Sequence, residues 1–125
     1  MFYEIETKRP FDDVVSAIAD AAAQKMFRVL TVHDVQATLA EKGFQRGPYK
    51  IIEVCNSKNA YAVLEADPRV GVFLPCPICV WTKDDKTVVS TMKPTLMSRF
   101  FPGVDLGTVP QDVEKTMVEI IEAAR

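Results

Sequence analysis

Three cysteines carry most of the chemistry this sequence offers, and two stand at Cys-x-x-Cys spacing in Leu74-Pro75-Cys76-Pro77-Ile78-Cys79. The third closes the apolar part of Ile51-Ile52-Glu53-Val54-Cys55-Asn56. A thiolate is both a nucleophile and a soft-metal ligand, so gathered thiols point to metal binding or to thiol redox chemistry. The pair Cys76 and Cys79 fits neither well. It lies in an apolar run that reads as strand, where residues three apart face opposite sides with Cα atoms about 10 Å apart. A disulfide needs Cα atoms within about 7 Å. Pro75 and Pro77 remove two ladder donors and argue for an edge position, a bulge or a kink; a bulge would bring both thiols to one side.

Cys55 and Cys76 are the better-matched pair. Each ends or interrupts a strand and is followed by a turn-like residue, Asn56 or Pro77. If the two strands are neighbours, both thiols face a common rim, with Asn56 and His33 as polar company. His33 is the only histidine, a residue type that ligates metals and moves protons near neutral pH. A site of Cys55, Cys76 and His33 has three ligands and an open position, unlike a structural zinc site, which takes four. Copper and zinc are the candidate soft metals. Met92 and Met97 offer thioethers to Cu(I), although methionines at such spacings commonly fill cores. Two other readings stay open: a thiol enzyme with Cys76 as nucleophile and Cys55 as resolving thiol, and a structural or assembly partner whose cysteines are simply buried.

Other chemistries find no footing. The chain has no Gly-x-Gly-x-x-Gly, Walker or Gly-x-Ser-x-Gly pattern. Its net charge is −2, and Lys83 and Lys86 bracket Asp84 and Asp85, so no basic face suggests a nucleic-acid partner. No stretch approaches the roughly 18 apolar residues of a membrane span. Met1 to Glu6 lacks the basic and apolar regions of a secretion signal, so a reducing cytoplasm with free thiols is expected.

The elements that must position these residues read as one domain over 125 residues, 48% hydrophobic and long enough for a real core. Residues 2–8 alternate as a strand with one wet face, although Phe2 opens its polar side. Phe11, Val14, Val15, Ile18, Ala22 and Met26 recur at helical steps after Pro10, with Asp12 and Asp13 in the first turn. A strand over 27–32 follows, then a short helix over 35–42 capped by Asp34 and ended by Gly43. Residues 49–55 form a third strand, and Asn56-Ser57 caps a helix from Lys58 to about Ala66, stopped by Asp67-Pro68. Residues 70–92 read as one hairpin turning at Lys83-Asp84-Asp85-Lys86. A long connection over 94–110 carries Leu96-Met97 and Phe100-Phe101, an exposed-looking patch suited to a dimer contact or a lid. The last helix buries Val113, Met117, Ile120, Ile121 and Ala124. Helices interspersed with strands and a hairpin suggest an α+β domain with helices over one sheet face.

The segments Val29-Leu30-Thr31, Asp34 to Leu39, Pro48 to Asn56, Ala66-Asp67-Pro68 and Gly71 to Cys76 closely resemble the family catalogued as domain of unknown function 302. The resemblance covers nearly the whole chain, and the order Cys-Asn then Leu-Pro-Cys is its most specific part. It implies a two-layer α+β fold with helices on a mostly antiparallel sheet, and homodimerisation. It places Cys55, Asn56, Pro75 and Cys76 in the family pattern, and leaves His33, Pro77 and Cys79 outside it. It implies no mechanism. The reading that results is a small cytoplasmic homodimer, without nucleic-acid or membrane partners, that binds a soft metal or small ligand at a rim of Cys55, Asn56, Cys76 and His33, with Cys55 and Cys76 as metal ligands.

Overall fold

The computed structural model describes residues 1–125. Strand β1 (Phe2–Thr7) alternates as its sequence requires, with Ile5 buried, Tyr3 half-buried and Phe2, Glu4 and Glu6 exposed. Helix α1 (Phe11–Gln24) begins after Pro10, carries Asp12 and Asp13 in its first turn, and buries Val14, Ile18, Ala21 and Ala22. Met26, expected on that stripe, is instead 80% exposed. The helix has already ended, Met26 turns the chain with φ 64°, and Phe27 takes the core position.

Strand β2 (Arg28–Asp34) runs directly into helix α2 (Val35–Ala40). Asp34 caps α2 by accepting the Ala37 N–H at 2.9 Å, and Gly43 follows with φ +83°, a conformation that glycine adopts without strain. Strand β3 (Tyr49–Cys55) and helix α3 (Ser57–Ala66) meet at Asn56, whose side chain accepts the Asn59 N–H at 3.0 Å.

The hairpin starts later than its apolar content suggests. Residues Pro68–Phe73 form a 3₁₀ turn, capped by Asp67, and strand β4 (Cys76–Lys83) follows. The cap and Pro68 at the turn's start bend the chain, and buried Val70 packs in a small second core with Val63, Met97 and Leu106. Strand β5 (Lys86–Met92) returns from a turn at Asp84, where φ is 56°. The connection that follows folds as a 3₁₀ turn (Pro94–Leu96) and a short helix α4 (Met97–Phe100) before helix α5 (Val109–Glu122). The expected exposed patch is only half correct. Phe100 is exposed, but Met97 is buried, and Phe73 packs against Phe100 and Phe101 at ring separations of 5.5 and 5.9 Å.

The five strands form one antiparallel sheet in the order β1-β5-β4-β3-β2. Helices α1 and α5 cover one face, where Ile52, Val54, Ile78, Val80 and Val89 meet Val14, Ile18, Met117, Ile120 and Ile121. All ten are fully buried, and each such side chain removed from water stabilises the fold by about 1.5–3 kcal/mol before entropy is counted. The architecture is therefore α+β, with helices on an antiparallel sheet.

Pro77 lies in β4, the central strand, and not at a sheet edge. It faces Glu53 of β3 with no break in register, while the β4–β5 ladder begins only at Cys79 opposite Ser90. Its missing donor thus falls where β5 no longer pairs, and its carbonyl accepts the Thr91 hydroxyl at 2.8 Å. The one register shift in the sheet is in β2, between Val29 and Thr31. With β4 regular, Cys76 and Cys79 point to opposite faces.

Candidate functional site

The pairing of β3 with β4 sets Val54 opposite Cys76, so Cys55 lies one residue past that pair at the same end of the sheet. Both cysteines line a single cavity of about 30 Å³, space for one or two water-sized atoms. Its walls are mostly apolar: Phe27 before β2, Val63 of α3, Leu74 before β4 and Met97 of α4. The first turns of α3 and α5, at Asn56 and Val109, complete the enclosure. A smaller cavity of about 20 Å³ adjoins it, sharing Cys76, Pro94 and Met97 and adding Met92.

Burial sets the state of these thiols. Burial first, and then the nearby Cys55, push the Cys76 thiol up to about 11. Burial alone raises Cys55. Cys76 also packs against the main core. A thiol with a pKa near 11 is ionised to only about one part in ten thousand at pH 7, which makes it a poor nucleophile.

The residues expected at this rim separate into two groups. Cys55, Asn56 and Cys76 come together around the cavity. The Asn56 side chain is already engaged: its oxygen caps α3, and its Nδ2 donates to the Met26 carbonyl at 3.1 Å. These bonds tie the start of α3 to the turn before β2. His33 lies elsewhere. Antiparallel pairing sets it opposite Ile51, while Cys55 lies opposite Arg28 at the far end of β3. Its Nε2 is 3.4 Å from Glu53 Oε2. The three-ligand arrangement with His33 is therefore not assembled, and no three His, Cys, Asp or Glu side chains converge anywhere as a metal group. Cys79 sits on the other sheet face beside Trp81, Tyr49, Phe2 and Glu4. There Tyr49 stacks on Trp81 at 5.6 Å, with the Arg46 guanidinium 4.8 Å from the Tyr49 ring centre. Burial, and then the Cys79 thiol, push the Tyr49 hydroxyl up to about 12.

Sequence reasoning did not find the walls contributed by Phe27, Asn59, Val63 and Val109. Periodicity marks Val63 only as an apolar helix position, and nothing local shows which cavity it borders.

The family model for the domain of unknown function DUF302 matches residues 3–124. The chain belongs to the DUF302 family. A solved relative, the crystal structure of an uncharacterized conserved DUF302 protein from Bacillus stearothermophilus, is 28% identical to it. That structure superposes with a TM-score of 0.92, covering 99% of this chain and 98% of the other. No curated protein matches. The DUF302 match spans both cysteines of the cavity, α3 and β4, so the candidate site lies wholly within the family domain. No helix of this DUF302 chain is long and apolar enough to cross a membrane.

Proposed function

We propose that this DUF302 protein binds a small thiophilic ligand, a soft metal ion above all, in the cavity between Cys55 and Cys76. The observation that carries this is that Cys55 and Cys76, both free cysteines, line one small and mostly apolar cavity. The raised thiol pKa values favour binding over catalysis, because a nucleophilic cysteine needs its thiolate near neutral pH and both thiols here are pushed the other way. A metal ion displaces the thiol protons on binding and so does not require a thiolate beforehand.

Native mass spectrometry of protein purified without oxygen or chelators tests the proposal. The expected result is an added mass on the wild type that is lost in the Cys55→Ser/Cys76→Ser variant. An adduct that persists in the double variant overturns it. The contact of Cys76 with the main core favours a second reading in which the thiols only pack; there Cys76→Ala lowers stability and changes no binding.

The chain is further proposed to act as a homodimer. The sheet face away from α1 and α5 supports this, because Trp81, Tyr49 and Phe2 share it with Cys79. The solvated face of an antiparallel sheet is ordinarily polar. Glu4 on β1 and His33 on β2 stand at opposite edges, so a two-fold axis along the strands would set acid over base. Trp81→Glu should leave a monomer in analytical ultracentrifugation; a monomeric wild type would remove this part of the proposal.

A further inference from the structure

Apart from the thiol cavity, we infer that the outer sheet face carries a second binding site, a trough that takes a flat aromatic cation such as an aryl amidinium. The strand register builds it. Glu4 of β1 pairs with Ser90 of β5, and Ser90 pairs in turn with Cys79 of β4. Paired residues of an antiparallel sheet point to the same face, so these three side chains stand in one row across three strands. The next row on one side is Glu6, Val88, Trp81 and Tyr49. On the other side stands Phe2, two residues from Glu4 along β1. Successive rows on one face lie about 6–7 Å apart along the strands. Ser90 and Cys79, both small, therefore floor a gap between a tall aromatic wall and Phe2. The space is about 260 Å³ and is lined by Phe2, Glu4, Tyr49, Cys79, Trp81 and Ser90.

Its walls suit a ring. Trp81 and Tyr49 stack with their centres 5.6 Å apart and their planes 8° from parallel. The Arg46 guanidinium lies 4.8 Å from the Tyr49 ring centre, which braces the wall from its own strand edge. A wall ordered before the ligand arrives lowers the cost of binding. Phe2 opposite is exposed, so covering it removes apolar surface from water. Aromatic pairs favour offset or edge-to-face contact, and both Trp81 and Phe2 present such surfaces to the trough.

Charge selects among flat ligands. Glu6, the next carboxylate along β1, pairs with Lys83 and Lys86, and Glu53 lies beside His33. Glu4 has no ion-pair partner in the chain and is the one charged group lining the trough. A ring carrying a planar cation meets both needs. Its amidinium offers two parallel N–H groups to the carboxylate, and the faces of Trp81 and Tyr49 attract positive charge. An anion would instead meet Glu4 as a like charge. Two copies meeting on this face would cover the trough, so the ligand and the second copy exclude one another.

Benzamidine is the probe, and Trp81, the only tryptophan, is the reporter. The titration is read on protein diluted until sedimentation shows the monomer. The expected result is a saturable change in Trp81 fluorescence, with amide NMR shifts centred on Glu4, Cys79 and Trp81. Neutral benzamide, of the same shape, should bind the wild type more weakly. Glu4→Gln, at an exposed position, should weaken benzamidine binding about fivefold, the upper end for an exposed ion pair. No saturable change, or shifts centred elsewhere, overturns the site. Equal affinity for benzamide, or undiminished binding in Glu4→Gln, overturns the selection of a cation. Each of these results leaves the thiol cavity to its own test in Cys55→Ser/Cys76→Ser.

Discussion

Cys76 is a thiol whose surroundings suppress its reactivity. Burial raises it to about 11, so folded protein should alkylate slowly at Cys76 at pH 7. The rate should climb about tenfold per pH unit between pH 7 and 9, because only the thiolate reacts. Iodoacetamide labelling read site by site in peptide masses checks this; rapid, pH-independent labelling at Cys76 would show the thiol to be activated. Asn56 holds the neighbouring element in place through two bonds, to the Asn59 N–H and the Met26 carbonyl. Asn56→Ala should lower stability by about 1–2 kcal/mol in urea titration, as loss of an N-cap does. That cap was legible in the sequence, as was the cap at Asp34, because both precede helical periodicity with a short polar side chain. The separation of His33 from Cys55 was not. It depends on β2 running antiparallel to β3, a choice made by the sheet as a whole and recorded in no local pattern.

The elements themselves were legible wherever one signal dominated. Strand β3 spans the expected residues 49–55, and the buried residues of α5 are the expected stripe. Errors arose where apolar content was read as strand: Val70 serves a separate small core, and Pro68 with the Asp67 cap bends that stretch into a 3₁₀ turn. At its C-terminus α5 is tied to β1, where the Tyr3 hydroxyl donates to Glu122 and Arg125 pairs with the same carboxylate at 2.7 Å. The Arg125 guanidinium first, and then the Tyr3 hydroxyl, pull Glu122 down to about 2. A carboxylate depressed in the folded state stabilises it above its unfolded pKa, near 4.5, and loses that contribution as pH falls towards 2. Wild type should therefore exceed Glu122→Gln in urea midpoint at pH 6, and the gap should narrow by pH 3. A gap independent of pH would show that this carboxylate does not fasten the helix.

Over the whole molecule, stability rests on one layer of helices against one sheet face. Ile52 is fully buried in β3 at the middle of that layer, and Ile52→Ala should cost about 2–5 kcal/mol, the range for deleting a buried aliphatic side chain. Equilibrium unfolding measures it, and a loss below 1 kcal/mol would place the centre of the core elsewhere. This layer was visible in advance from apolar periodicity, and the family resemblance anticipated the antiparallel sheet. The cavity was not visible, because its walls come from segments far apart in the chain: Phe27, Cys55, Leu74, Met97 and Val109. Only the closed fold brings them to one place.

The regularity of β4 has a practical side. With Cys76 turned towards the helices and Cys79 towards Tyr49 and Trp81, a layer of backbone separates the two sulfurs. A spin label attached through Cys79 would report on the outer sheet face and leave Cys76, on the helix side, alone. In the proposed dimer, the distance between labels on the two copies would then be a ruler for how those faces meet, built from a residue the chain already carries.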